Sequence, residues 1–304
     1  MLLRLALLFL VLLAGPVRAT NSNPFSAQVE TLRSLQAEDG RVARIAYRLA
    51  THGRALCKFV QPQSGLLLHS LSQYAADYRG AARAAFGLSD ALSVLVVVGG
   101  SAADRAGIKP GDDVLRINQT ELRDAPLGKR SAIAVAGASR LVREAAEKPE
   151  PLVLTLRRQG QVVAVALKAE RGCASRVELV PGSKLNAKAD GEVLQLTTAV
   201  LSEARDDDEL AFIIAHEMAH NGLGHPQMLR AAGRKKSRVL ATEIEADQIG
   251  LRLMHLAGYD PHAGARFWAR FGKKTGYGIF SDGTHQRTAA RVRTLEAEAK
   301  RLTQ

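Results

Sequence analysis

The stretch DDDELAFIIAHEMAHNGLG, residues 206–224, constrains this chain more than any other. Three aspartates open it, suited to capping a helix and to the positive end of its dipole. Leu210 to Ala215 is then apolar at every position, so a helix here has no polar side for water and must lie inside the fold. Gly222 and Gly224 mark its end, and the rest of the chain has to wrap it. The same helix also carries His216, Glu217 and His220, and buried polar groups are costly without partners. His216 and His220 are four apart, so both rings leave one face and can meet one ion. Glu217 is turned by about 100° from His216, beside such an ion rather than on it. Zinc held this way needs a third protein ligand and keeps a fourth position for water. The five letters HEMAH also arise by accident, and a pair of packed or exposed helix histidines is the alternative.

Glu243 follows His220 by 23 residues, inside EIEAD on the next predicted helix, SRVLATEIEADQIGLRLMHLAGYDP. Asp247 comes one turn later on the same face, placed to orient a ligand histidine through its ring N–H. Glu245 is a rival to Glu243 as ligand. Two residues apart on a helix they face different directions, and only Glu243 stands one turn before Asp247. The metzincin arrangement fails by register, because its third histidine would fall at Pro226 and its glycine at Leu223; His225 is one residue early.

HExxH followed by ExxAD resembles the metallopeptidase family of the CAAX prenyl proteases and HtpX-like proteases, which includes soluble periplasmic members. The resemblance covers Val177 to about Leu302, with helical residues 28 to 56 contributing. It implies a zinc ion, one per chain, held by His216, His220 and Glu243. LNAKADGEVLQLTTAVLSE resembles the family's segment before the zinc helix, where an edge strand lies beside the cleft, and AGYDP matches a recurrent family turn. The family also carries a late Thr-His-Pro motif whose histidine helps stabilise the oxyanion. Here it reads Gly283-Thr284-His285-Gln286, keeping His285 but replacing the proline by Gln286. The site so read would hydrolyse peptide bonds, with Glu217 moving the proton from water to the leaving amine and His285 stabilising the tetrahedral charge.

The first residues, MLLRLALLFLVLLAGPVRAT, place Arg4 before an apolar run from Leu5 to Ala14, broken by Gly15-Pro16 and followed by Val17-Arg18-Ala19. Ten apolar residues are too few for a bilayer core, which takes about 20. The pattern predicts a secretory signal cleaved near Ala19 and a soluble mature protein in the periplasm or outside the cell; an uncleaved anchor is the alternative. Formal charge falls from +12 to +10 when Arg4 and Arg18 leave. Export, scattered Lys and Arg and few aromatics argue against a nucleic-acid partner. A solvated basic surface remains, open to peripheral contact with anionic membrane headgroups or outer-membrane assembly proteins. Cys57 and Cys173 are the only cysteines; an even number in an oxidising compartment predicts one disulfide.

Between the cysteines runs SVLVVVGGSAADRAGIKPGDDVLRINQTEL, residues 93–122. A β-rich run ends in Gly99-Gly100, a short helix Ala102–Ala106 stops at Gly107, and DVLRIN alternates as a strand. This stretch resembles a PDZ domain of the bacterial protease-associated type, whose hallmark is GSxAxxAGIxxGDxIxxIN. SRLVREAAE fits the groove helix, and PLVLTLRRQGQVVAVALKA fits a closing hairpin turning at Gln159-Gly160. The resemblance implies a domain that takes C-terminal peptides, with its carboxylate loop near Tyr78-Arg79-Gly80. Upstream, Val29, Leu32, Leu35, Val42, Ile45, Ala46 and Leu49 recur at helical spacing, and Asp39-Gly40 predicts a break into two helices. The basic stretch PQMLRAAGRKKS, residues 226–237, reads as a solvated loop.

The expected fold class is α+β: a mainly helical zincin-type metallopeptidase domain with a small edge sheet, interrupted by a β-rich PDZ domain. The expected boundaries are a signal peptide at 1–19, an N-terminal helical part of the peptidase at 20–75, an inserted PDZ domain at 76–170 and the zinc metallopeptidase domain at 171–304. The function expected is an exported zinc metalloendopeptidase acting on misfolded or envelope proteins, with the PDZ domain for recognition or regulation. The alternative is a PDZ-bearing periplasmic chaperone or assembly factor with little turnover. An intact Glu217 favours the enzyme.

Overall fold

A computed structural model describes residues 23–274 and 288–304, and the fold is an α+β mixture. The chain opens with one long helix, α1 (Pro24–His52), capped by the Asn23 side chain on the Phe25 N–H. The expected break at Asp39-Gly40 does not occur. A glycine inside a helix costs only about 1 kcal/mol relative to alanine. Against that, α1 buries Val42, Ile45, Ala46, Leu49 and Ala50, each large side chain contributing on the order of 2 kcal/mol. Burial also pushes the Asp39 carboxyl up to about 7, a desolvation cost that the apolar contacts of α1 must likewise offset.

After α1 come β1 (Val60–Gln63), β2 (Leu66–His69), α2 (Arg79–Phe86), β3 (Leu92–Val97), α3 (Ala102–Arg105), β4 (Asp113–Ile117), β5 (Thr120–Glu121), α4 (Ile133–Ala146), β6 (Leu152–Arg158), β7 (Gln161–Leu167) and β8 (Glu170–Cys173). Six of these strands form one antiparallel sheet in the order β2-β3-β4-β6-β7, with β5 paired to β4. Inward residues Val94, Val114, Leu154 and Leu156 meet Ala138, Val142 and Ala145 of α4 in a core of their own. The β6–β7 hairpin turns at Gln159 and Gly160, both at positive φ, as a two-residue hairpin loop requires. β2 was not foreseen, and it puts the start of this sheet ten residues before the expected boundary at 76.

The last part holds β9 (Arg176–Val180), β10 (Ala187–Ala189), β11 (Val193–Thr197), α5 (Thr198–Glu203), α6 (Asp207–Leu223), α7 (His225–Ala232), α8 (Lys236–Leu256), α9 (His262–Lys274) and α10 (Thr288–Thr303). Its three strands lie in the order β10-β11-β9, with β11 antiparallel to β10 and parallel to β9. Residues 226–237, expected as a loop, are mostly the helix α7. The apolar helix α6 is buried from Glu209 to Gly222, and it stops at Gly224 in the left-handed conformation, so Gly222 lies inside it. Helices α8, α9 and α10 and the C-terminal half of α1 surround it in one core. Among the described residues no helix is long and apolar enough to cross a membrane.

The two parts are joined at a narrow neck. Chain enters the six-stranded sheet through β1 and leaves through β8, and these two pair with each other, Val60 opposite Cys173. Cys57 and Cys173 are bonded at the base of this ladder. A Cβ on Gly222 would stand 2.5 Å from the Cys57 sulfur, so the disulfide rests directly on α6 and only glycine fits beneath it. Helix α1 bridges the neck as well, with Ala43 packed among Leu95, Val96 and Val98.

The disulfide closes a span of 116 residues, so its removal releases much denatured-state entropy. Cys57→Ala with Cys173→Ala should lose about 2–5 kcal/mol of stability. Urea titration should show a lower midpoint; an unshifted one would mean that the β1–β8 ladder holds the neck without the bond.

Candidate metal centre

Because α6 is buried on all sides, its polar side chains must be met by neighbouring helices. Asp206 caps it by accepting from the Glu209 N–H at 2.8 Å, and Glu209 itself is clamped by both terminal nitrogens of Arg270 at 2.6 and 2.7 Å. One turn from the other end, His216 and His220 face α8. The two helices approach closely there: a Cβ on Gly250 would meet the His216 backbone N at 3.2 Å. That approach brings Glu243, Asp247 and Gly250, one face of α8, onto the histidines.

His216, His220 and Glu243 each offer one donor atom, and these converge. The two Nε2 atoms are 3.2 Å apart, and the Glu243 Oε2 is 3.3 Å from the first and 3.5 Å from the second. Bonds of 2.0–2.2 Å at tetrahedral angles would place donors about 3.3–3.6 Å apart. Two imidazole nitrogens and a carboxylate oxygen in that spacing fit zinc with a fourth position left for water. Glu217 is buried on the same helix, one residue on from His216.

The ring nitrogens turned away from this point are held too. His216 Nδ1 donates to Asp247 at 2.9 Å, and Asp247 is gripped by the Arg291 Nε and Nη2, each at 2.7 Å. Arg291 is buried, with its guanidinium 4.0 Å from the centre of the Trp268 ring. His220 Nδ1 faces His225 Nδ1 at 2.9 Å, and His225 Nε2 reaches Glu245 at 3.2 Å. If His220 binds a metal through Nε2, its Nδ1 carries the proton, His225 Nδ1 accepts it, and His225 donates through Nε2 to Glu245. Glu245 therefore supports His225 and stands away from the Glu243 position.

The charges agree with a cation here. Burial alone would push His216 down, but its hydrogen bonds to Asp247 and Glu243 outweigh burial and carry it up to about 10. Burial, with the neighbouring His216 charge, holds His220 below the usual histidine range. Burial would raise Asp247, yet Arg291 and His216 keep it low. The Glu243 and Asp247 carboxylates thus favour positive charge at this point, which a metal ion would supply in place of the His216 proton.

Arg291 and the His225–Glu245 pair are absent from the sequence reading. Arg291 had a signal: with Leu295 and Ala299 it forms the buried stripe of α10, and an arginine in such a stripe calls for a carboxylate partner. His225 was visible only as a residue out of register. Tyr78 and Arg79 do not form a loop beside a strand edge; Tyr78 ends a short 3-10 turn, Arg79 and Gly80 begin α2, and Tyr78 packs with Leu32 of α1. The turn that precedes the edge strand β2 is Ser64-Gly65. Thr284, His285 and Gln286 lie outside the described residues, as do residues 1–19.

Asp247→Asn should weaken zinc binding about 10- to 100-fold, as should His225→Ala, while Glu245→Gln should weaken it less because its side chain is 56% exposed. Competition with a chromophoric chelator reads each constant. Equal affinity for all three variants and the parent would show that the outer hydrogen bonds do not position the rings.

Residues 154–237 match the model of Peptidase family M48, from β6 through α6 to the first residues of α8, and the match supports a peptidase. It takes in His216, Glu217 and His220 and stops before Glu243. No curated protein sequence matches the chain. Among solved structures, the PDZ domain of HtrA3 bound to a phage-derived ligand (FGRWV) is similar at 19% identity and a TM-score of 0.28, over 37% of this chain and 89% of that one. That likeness is too low to carry an argument; the match to Peptidase family M48 is the one that bears on the site.

Proposed function

We propose that this chain is a zinc-dependent endopeptidase of the HExxH…ExxAD kind, acting on polypeptides outside the cytoplasm. The observation that carries the reading is the donor triangle of His216, His220 and Glu243, with His216 backed by Asp247. Zinc, when bound, would supply Lewis acidity towards a carbonyl oxygen and lower the pKa of water towards about 7.

The chain's own groups divide the remaining work. The buried Glu217 accepts the proton of the attacking water and returns it to the leaving nitrogen. Asp247 holds the His216 ring in the tautomer that leaves Nε2 free, and Arg291 keeps that carboxylate ionised and aimed. A polypeptide is laid along the edge strand β10, which flanks α6. Asn221 of α6 ties that strand in place, accepting from the Gly191 N–H at 2.7 Å in the turn between β10 and β11. His285 is assigned to the oxyanion by the motif alone.

The six-stranded sheet with α4 is read as a PDZ-type module inserted between α1 and β9. Its entry and exit strands β1 and β8 lie side by side, as an insertion requires, and the hallmark motif runs through β3, α3 and β4. Export is supported by the pattern of the first 19 residues and by a disulfide that needs an oxidising compartment.

Zinc content and casein cleavage, measured on the mature chain beside Glu217→Gln, test the reading. One zinc in each, with cleavage lowered at least a thousandfold in the variant (roughly the loss of a general base with its preorganised water), is the expected result. A variant that cleaves as fast as its parent would remove Glu217 from the reaction, and a chain without zinc would remove the enzyme altogether.

A further inference from the structure

The six-stranded sheet has two outer strands. One is β2, which borders a groove of about 380 Å³ between the two parts of the molecule. The other is β7, which contributes nothing to that groove. β7 pairs with β6 from Gln161 opposite Arg158 to Leu167 opposite Leu152, without a register shift. Among the described residues no strand lies on its other side.

A strand edge left open invites pairing with another chain, and folded proteins blunt such edges with charge, proline, bulges or shortness. The other open edges of this molecule are blunted. β5 and β10 are two and three residues long. β1 contains Pro62, β8 contains Glu170 and Arg171, and β9 contains Arg176 and Glu178. The pairing of β2 is irregular between Leu67 and Leu68. β7 reads QVVAVAL and has none of these devices. Both its faces are apolar. Val163, Val165 and Leu167 pack on the core of the sheet unit, while Val162, Ala164 and Ala166 are exposed, Val162 at 63%.

The turn before β7 determines which backbone groups are open. Gln159 and Gly160 both have positive φ, the two-residue turn whose flanking residues, here Arg158 and Gln161, bond to each other. Bonds to a neighbouring antiparallel strand recur at every second residue. Gln161, Val163, Val165 and Leu167 therefore direct theirs to β6, and Val162, Ala164 and Ala166 turn N–H and C=O outwards.

This outward set is symmetric about Ala164. A second copy turned about a two-fold axis there brings like strand against like, antiparallel. Ala164 then exchanges both bonds with its counterpart, and Val162 with Ala166 of the other copy. Side chains meet as Val163 with Val165 on the inner side and as Val162 with Ala166 on the outer side, apolar against apolar. At the turn, Arg157 and Arg158 are paired with Asp113 and Asp112 of β4 at 2.7 and 2.6 Å, so Lys168 of the other copy meets no unpaired cation. A foreign strand would have to match this uncharged pattern; the chain's own β7 already does.

We propose that β7 is a dimerisation edge: two copies of this chain pair their β7 strands antiparallel about Ala164 and join their six-stranded sheets into one. The inference does not depend on the peptidase reading, and the pairing uses neither β2 nor β10. A seven-residue strand spans about 24 Å at about 3.4 Å per residue. That is a small interface, so the dissociation constant is expected on the order of 1–100 μM.

Sedimentation velocity of the full mature chain over a concentration series tests the pairing. The parent should pass from monomer to dimer as concentration rises. Ala164→Glu and Ala164→Lys each set like charges opposite each other across the axis, and each should raise the dissociation constant at least about tenfold. The Ala164 side chain is exposed, so far-UV circular dichroism of both variants should match the parent. An equimolar mixture of the two variants should dimerise again, because Glu then faces Lys; a damaged fold would not recover on mixing. A parent that stays monomeric to about tenfold above the expected range would overturn the proposal. A dimer indifferent to both charges would place the interface elsewhere, and a mixture that stays monomeric would exclude pairing about Ala164. Assembly that grows past the dimer would mean that β7 meets some other edge than its own copy.

Discussion

Everything in this molecule turns on the cost of burying α6. A helix without a solvent face is stabilised by apolar contact along its whole length, but it takes two histidines and two glutamates inside with it. Each needs a partner, and the surrounding helices are placed where they supply one: Arg270 of α9 meets Glu209, Glu243 and Asp247 of α8 meet His216, and Arg291 of α10 closes on Asp247. The geometry of the candidate metal centre and the stability of the core are therefore the same set of contacts. A metal ion fits such a place because a cation satisfies donors that no single side chain could reach together.

Positional precision follows from the close approach of backbones. Gly250 lets α8 come against the His216 turn, and Gly222 lets the disulfide sit on the far end of α6. The neck formed by β1, β8 and the Cys57–Cys173 bond therefore stands on the same helix as His216 and His220 of the candidate metal centre. α1 continues across it and contributes to the cores on both sides. The β1–β8 ladder, the disulfide and α1 join the sheet unit to the helical unit, and the groove between them is lined by both.

The two histidines are held by different chemistry. His216 leans on a carboxylate that is itself neutralised by a buried arginine, a strong charge-assisted chain. His220 leans on a neutral histidine whose far nitrogen reaches a largely exposed glutamate. The first arrangement keeps electron density on the ring within a closed, dry network, and the second leads from the ring towards solvent.

Much of this was legible in the letters. The apolar run before HEMAH determined burial, because no rotation of that helix finds a polar side. The spacing of His216 and His220 determined a shared face, and the register of Glu243 against Asp247 determined which carboxylate could join them. The hairpin turn at Gln159-Gly160, the stop at Gly107 and the pairing of two lone cysteines were likewise local or arithmetical matters. What the sequence could not decide were relations whose energies come from distant partners. Asp39-Gly40 reads as a break until Val42 to Ala50 are seen in the core, where packing outweighs a local penalty of about 1 kcal/mol. β2 has too few residues to announce itself and exists because β3 pairs with it. Arg291, His225 and Glu245 acquire their roles only because four helices bring positions up to 75 residues apart, from His216 to Arg291, onto one cluster. Patterning along the chain states which groups must be buried; only the tertiary structure chooses which of them meet.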